Sequence, residues 1–89
     1  MNQIKPSKYK NISGSTDAIK TGKGVLVGMY VNSTSSGTIV IYDGITATGT
    51  LINNTITPAK GWHDLGNVAF LTGLSVTIAN TLDVTLYFI

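Results

Sequence analysis

The chain has no cysteine, no arginine and a single histidine among its 89 residues. Without cysteine, a disulfide framework, thiolate metal ligands and a cysteine nucleophile are excluded together. With one histidine and no close carboxylate pair, no set of side chains has the spacing that holds a metal ion. Charge is scarce as well: charged residues make up 11% of the chain, under half of the roughly 25% usual in a soluble domain. Apolar residues make up 43%. A free monomer rarely has so little charge, whereas the cores of subunit interfaces are depleted of it. The composition therefore predicts an outer surface partly covered by neighbouring subunits.

Long apolar runs are also missing. No stretch approaches the roughly 18 apolar residues that suggest a membrane helix, and no membrane partner is expected. Residues 1–11 are polar and lysine-bearing, without the apolar segment of a secretion signal. The expected place of synthesis is a cytoplasm. A chain of this length holds one domain. Area scaling has it bury only about 63% of its unfolded surface. Subunit contacts are the source of extra stability that remains when disulfides and metal are excluded.

What the sequence does have is alternation. After Gly22, apolar and polar residues alternate between Gly, Asn, Asp, Ser and Pro punctuation, which is the period of a strand. Helical spacing is nowhere sustained. Residues 25–32 predict a first strand, with Val25, Val27, Met29 and Val31 on one face and Leu26, Tyr30 and Asn32 on the other. Gly28 within it marks a bulge or a close backbone approach. Ser33-Thr34-Ser35-Ser36-Gly37 reads as a hairpin loop into a second strand over 38–43, antiparallel to the first, with Ile39 and Ile41 on one face. A third strand covers 49–56, ending at Asn53-Asn54 or running on to Thr57, and is closed by Pro58. Residues 60–66 read as an irregular connection or short strand, and 68–71 as strand. Leu74, Val76 and Ile78 face inward on a strand over 74–79. Asn80-Thr81 reads as the last turn, and Leu82, Val84, Leu86 and Phe88 share one face of the final strand. Short strands and frequent turns predict an all-β fold: a two-sheet antiparallel β-sandwich with jelly-roll or immunoglobulin-like connections.

The sandwich is expected over residues 14–89, preceded by an N-terminal extended arm over 1–13. Lys5, Lys8, Lys10, Lys20 and Lys23 fall in the first quarter, so a basic start joins a nearly neutral body; the net charge is +2. A polar arm containing Pro6 and only a possible short strand over 8–13 is seldom ordered alone. A neighbouring subunit is expected to hold it. The candidate partner contacts are Lys5, Lys8, Tyr9 and Lys10 of the arm, with Trp62 and His63 of the irregular connection.

Catalytic chemistry finds little support. His63-Asp64 is the one pairing suited to acid–base work, and no serine sits in a nucleophile-elbow sequence to complete a triad. A lone histidine in a Gly-rich loop more often makes a structural hydrogen bond. No catalytic residue, cofactor site or metal ligand is assigned. Gly22-Lys23-Gly24 lacks the Ser or Thr and the upstream glycine of a phosphate loop and precedes a strand, so it reads as a turn. The glycosylation sequons at Asn11, Asn32 and Asn53 are of the kind that chance produces in a chain rich in Asn, Ser and Thr. Nucleic acid is not an expected partner, because the lysines are few, arginine is absent and no recognition motif appears. Trp62 with Tyr30, Tyr42 and Tyr87 could form a sugar-binding platform, though scattered aromatics are more often core and interface anchors.

The segments Thr21-Gly22-Lys23-Gly24-Val25-Leu26-Val27-Gly28-Met29-Tyr30-Val31-Asn32, Gly37-Thr38-Ile39-Val40-Ile41-Tyr42-Asp43-Gly44, Ala69-Phe70-Leu71-Thr72-Gly73-Leu74-Ser75-Val76-Thr77-Ile78-Ala79 and Asp83-Val84-Thr85-Leu86-Tyr87 together carry a resemblance. In this order the chain resembles small β-sandwich virion proteins of tailed bacteriophages over about residues 21–87. The resemblance implies a structural part of the particle: a capsid decoration protein, a head fibre, or a neck or tail component. It implies a homo-oligomer, as a trimer or ring, beside another virion protein such as the major capsid protein. It implies no catalytic residues. The expected function is therefore a non-enzymatic bacteriophage virion structural protein that docks by its N-terminal arm. The alternative is a carbohydrate- or host-receptor-binding module of a phage tail or fibre, using Trp62, His63 and Asp64.

Overall fold

Alternation becomes strand almost everywhere in the computed structural model, which describes residues 7–89. The strands are β1 (Lys8–Ile12), β2 (Thr16–Thr21), β3 (Gly24–Asp43), β4 (Thr50–Ile56), β5 (Gly61–Phe70) and β6 (Gly73–Phe88). All six belong to one antiparallel sheet, and no helix occurs among the described residues. The all-β, antiparallel fold is as expected.

Two long strands form the spine. β3 and β6 pair along nearly their whole lengths, from Leu26↔Phe88 to Asp43↔Leu74. At one end β1 lies on β6, through Lys8↔Phe88 to Ile12↔Val84, and β5 lies on β3, through Gly24↔Phe70 to Val31↔Gly61. At the other end β2 lies on β6 near Thr16↔Val76 and Thr21↔Gly73, and β4 lies on β3 through Ile39↔Ile56 to Asp43↔Thr50. Each end thus has four strands side by side, with the two central ones shared.

The expected hairpin loop at Ser33–Gly37 and the expected turn at Asn80-Thr81 are both absent as chain reversals. β3 and β6 run straight through them, and the two segments face each other, with Ser35 and Ser36 both opposite Thr81. The turn-forming chemistry is spent on bending the ladder. Ser36 and Asn80 take left-handed backbone conformations, with φ of 55° and 61°. Asn80 Nδ2 donates to the Ser36 carbonyl, and Thr34 Oγ1 accepts from the Gly37 amide. Register slips at Leu26/Gly28, Val31/Ser33 and Ser35/Ser36; each leaves one more residue on β3 than on β6 and adds local bend and twist.

That bending encloses the core. A straight 20-residue strand would reach about 66 Å at about 3.3 Å per residue, yet the longest dimension of the molecule is 42 Å. Residues of β1 (Lys8, Tyr9) and of β2 (Ala18, Ile19, Lys20, Thr21) line one open cleft of about 750 Å³, although the two strands flank opposite ends of β6. One apolar cluster takes Leu26, Met29, Val31, Val84 and Leu86 from one end and Ile39, Ile41, Leu74 and Val76 from the other, all fully buried. A flat sheet leaves its faces in water, whereas the bent sheet keeps this apolar cluster out of it.

The expected inward residues of β6 are buried or packed on the core: Leu74, Val76, Leu82, Val84, Leu86 and Phe88, with Ile78 at its margin. On β3 the first face needs correction. The slip between Leu26 and Gly28 changes the phase of alternation, so Leu26 joins Met29 and Val31 in the core, while Val25 and Val27 are only half-buried. Within the expected arm, Lys8–Ile12 is the edge strand β1, held by the chain's own β6, and Ile12 reaches the core.

Asp43 ties the turn between β5 and β6. Its Oδ1 accepts from the Thr72 and Gly73 amides at 2.8 and 3.3 Å, and its Oδ2 accepts from the Leu71 amide at 2.9 Å. The Thr72 bond, working against desolvation and joined by the bonds from Leu71 and Gly73, holds this carboxyl below its ordinary range. A carboxylate with a depressed pKa stabilises the fold above its unfolded value, near pH 4, and loses that contribution as pH falls through the folded value. Asp43→Asn leaves an NH₂ group facing one of these amides. The expected result is a loss of about 1–2 kcal/mol at pH 7 and a flatter fall of melting temperature between pH 5 and pH 2, about those bounds being where such carboxylates titrate. Thermal unfolding of both proteins across that range checks it.

Candidate functional site

The outer face at the β1–β6–β3–β5 end gathers the aromatic side chains. Along β6, Asp83, Thr85 and Tyr87 alternate with buried Val84, Leu86 and Phe88 and so point outward. Pairing then builds two rows. One runs Tyr9, Tyr87, Gly28, Asp64 across the four strands, and the next runs Asn11, Thr85, Tyr30, Trp62. Tyr9 is 71% exposed, Trp62 49% and Tyr30 42%.

Gly28 makes room for the tryptophan. A Cβ built there would fall 2.5 Å from Trp62 Cζ2 and Cη2 and 2.7 Å from the His63 carbonyl oxygen. The indole therefore leans over bare backbone and meets Tyr87 edge-on, with ring centres 5.5 Å apart and planes at 64°. Tyr9 flanks Tyr87 on the other side at 6.4 Å. Such edge contacts are the favoured aromatic arrangement. Both readings of Gly28, as bulge and as close approach, hold. Gly28→Ala is expected to push the indole off this slot, shift the emission of the chain's single tryptophan and cost about 1–2 kcal/mol. Fluorescence and denaturant unfolding check it.

Beside the rings lies a braced polar group. Asn11 Nδ2 donates to Asp83 Oδ1 at 2.8 Å, to the Val84 carbonyl at 3.1 Å and to Thr85 Oγ1 at 3.2 Å. Asn32, the extra residue at a slip in β3, donates to the same Asp83 oxygen at 3.1 Å and to Thr85 Oγ1 at 3.2 Å. The bonds from Asn11 and then Asn32 hold the Asp83 carboxyl below its ordinary range.

No family model, curated protein or solved structure matches this chain. Its surfaces must be read from their own chemistry.

The residues singled out in the sequence are distributed unevenly. Tyr9 and Trp62 join the aromatic face, together with Tyr30 and Tyr87, whereas Tyr42 belongs to the opposite end, paired with Leu51 and Ser75. His63 points the other way from Trp62, opposite buried Met29, and its Nε2–H donates to the Ala59 carbonyl at 2.7 Å. Asp64 Oδ1 instead accepts from the Gly66 amide at 2.8 Å. His63 and Asp64 are on alternate faces of β5 and form no acid–base pair, so Trp62, His63 and Asp64 do not make one site. Lys8 and Lys10 pair with Phe88 and Leu86 and sit on the inner side of the β1 edge, away from Tyr9. Lys5 lies outside the described residues. Nothing in the sequence marks Asn11, Asn32, Asp83 and Thr85 as one cluster; the outward Asp-x-Thr-x-Tyr parity of β6 is a signal for Asp83 and Thr85 alone.

A second surface lies at the far end. β4 ends the sheet order, its Leu51 and Ile56 are exposed, and it contains no charged residue. Ile45 and Leu71, also exposed, flank it on the two turns that Asp43 joins. The other outer strands carry charge: Lys8 and Lys10 on β1, Asp17 and Lys20 on β2, Asp64 on β5.

Proposed function

We propose that this chain is a non-enzymatic structural protein of a bacteriophage particle, of the capsid decoration or head-fibre type, acting as a homo-oligomer on a neighbouring virion protein. The observation that carries the assembly reading is the uncharged β4 edge with exposed Leu51 and Ile56. Outer strands that stay single usually carry charge as a guard against pairing with another chain. Burial of this edge with Ile45 and Leu71 gains about 25 cal/mol for each Å² of apolar surface removed from water. In this reading the curled sheet works as a two-layer sandwich, with layers β1-β6-β3-β5 and β2-β6-β3-β4 joined through the two long strands. The proposed docking arm is the segment 1–13, of which residues 1–6 lie outside the described residues. The virion assignment draws on the sequence resemblance and on the low charge.

Native mass spectrometry tests the assembly. The expected result is a closed oligomer at micromolar concentration, and a monomer for the double variant Leu51→Lys, Ile56→Lys with unchanged far-ultraviolet circular dichroism. A wild-type protein that stays monomeric at every concentration would falsify it. The chain should also be detected by peptide sequencing in purified virus particles, and particles that lack it would overturn the virion assignment.

A further inference from the structure

From the outer face at the β1 end, we infer a second activity, separate from the β4 edge: Tyr9, Tyr87, Trp62 and Tyr30 with Asn11, Asn32 and Asp83 form a binding site for a neutral glycan. The inference rests on three features of that face.

The first is the shape of the apolar part. Tyr9 and Tyr87 share one row, and the indole of Trp62 leans from the next row over Gly28 to meet Tyr87, so the three rings follow one another across the sheet. The ring centres stand 6.4 Å and 5.5 Å apart along this track. Its width is a single ring, with Tyr30 at one side. The flat faces of sugar rings are apolar and stack on such exposed aromatic rings. A second copy of the chain is a poorer occupant: at 150–250 Å² per ring, the exposed parts of Tyr9, Tyr30 and Trp62 offer on the order of 350 Å². A stable protein interface takes about 800 Å² from each partner.

The second is the polar part. Asn11 and Asn32 both turn their NH₂ groups inward onto Asp83 Oδ1 and Thr85 Oγ1. That spends the donors within the cluster. The two amide oxygens and Asp83 Oδ2 have no hydrogen-bond partner among the described residues, and they are acceptors for hydroxyl protons. Because the cluster is already braced, a ligand orders few side chains on binding, which limits the entropic cost.

The third is charge. Lys8 and Lys10 alternate to the other side of β1, so the strand positions that pair into this face carry the carboxylates Asp83 and Asp64 and no lysine. An anionic ligand is disfavoured, and a polyol that donates hydroxyl protons is matched.

The test uses the full chain, whose single tryptophan belongs to the site. Fluorescence titration with maltohexaose, cellohexaose and chitohexaose, followed by a glycan array, should give saturable binding to at least one neutral glycan. Tyr9→Ala, at an exposed position that leaves the core intact, should weaken it about fivefold or more, the scale of one lost aromatic contact. Asp83→Ala should weaken it by at least as much, with circular dichroism reporting the fold in both. Absence of binding to every neutral glycan, stronger binding to sulfated or sialylated glycans, or affinity unchanged in both variants would each overturn the proposal. A fluorescence shift that follows protein concentration without sugar would assign the face to self-association instead. The Leu51→Lys, Ile56→Lys variant should bind glycan as the wild type does, so a failure of the assembly reading leaves this result distinct.

Discussion

Replacing Gly37 with alanine is expected to cost about 3 kcal/mol or more, the upper range for forcing extra atoms into a packed site. Gly37 is buried where β3 and β6 bend together, next to the slip that sets Ser35 and Ser36 both opposite Thr81. A Cβ there would fall 2.4 Å from the Thr81 carbonyl oxygen, 2.5 Å from Leu82 Cβ and 2.9 Å from the Thr81 carbonyl carbon. Two of these are main-chain atoms and the third is the root of a buried side chain, so no rotamer change relieves the clash. β3 cannot shift away without giving up the pairing of Thr38 with Ala79 or the bond from the Gly37 amide to Thr34 Oγ1. The matching control is Ser35→Ala, at an exposed position, expected to change stability by less than about 0.5 kcal/mol. Denaturant unfolding of the two variants measures the difference, and a Gly37→Ala midpoint equal to that of the control would show that the bend is loose.

At this bend the chemistry of a turn and that of a bulge coincide. Ser33-Thr34-Ser35-Ser36-Gly37 and Asn80-Thr81 have the composition of turns because they form the same local hydrogen bonds and left-handed conformations that turns use. What separates a turn from a bulge is which chain lies opposite, and that is a long-range fact. β6 did contain a local clue. A two-residue turn at Asn80-Thr81 pairs residue 79 with 82 and sets 78 on the same face as 83, which would bring Asp83 to the core side with Ile78. The apolar residues instead keep one parity from Leu74 to Phe88, as an uninterrupted strand requires. On β3 no such clue exists, because three slips change the phase and neighbouring valines match either face.

The aromatic face was legible in part. Gly28 within a strand signals a close approach, and Tyr9 and Trp62 are candidate contacts from the sequence, but grouping Trp62 with His63 and Asp64 requires a loop. Once residues 61–70 form a strand, neighbours in sequence fall on opposite faces, and Trp62 finds its companions on three other strands. Asn11 and Asp83 are 72 residues apart and met only through the pairing of β1 with β6. That pairing depends on Ile12, the one apolar residue of β1 that reaches the core.

Phe70→Ala is expected to be the most damaging substitution, with a loss of about 3–5 kcal/mol. Phe70 is the last residue of β5, fully buried, and stands opposite Gly24 at the start of β3. It is the largest fully buried side chain among the described residues, so its removal leaves a cavity that the surrounding strands cannot fill. Backbone relaxation is blocked on both sides. The turn beyond Phe70 is pinned by Asp43 through the Leu71, Thr72 and Gly73 amides, and the start of β3 is pinned through the mutual bonds of Val25 and Ile89. At about 0.05–0.15 kcal/mol per residue, a chain of this size holds only about 4–13 kcal/mol in total. A loss of that size corresponds to a melting temperature lower by roughly 15–30 °C. Phe70→Leu, which keeps most of the volume, should lose less than about 1.5 kcal/mol. If oligomer contacts supply part of the stability, the Phe70→Ala melting temperature will rise with protein concentration more steeply than that of the Leu51→Lys, Ile56→Lys background carrying the same change. Equal slopes in the two backgrounds would count against the β4 edge as the assembling surface.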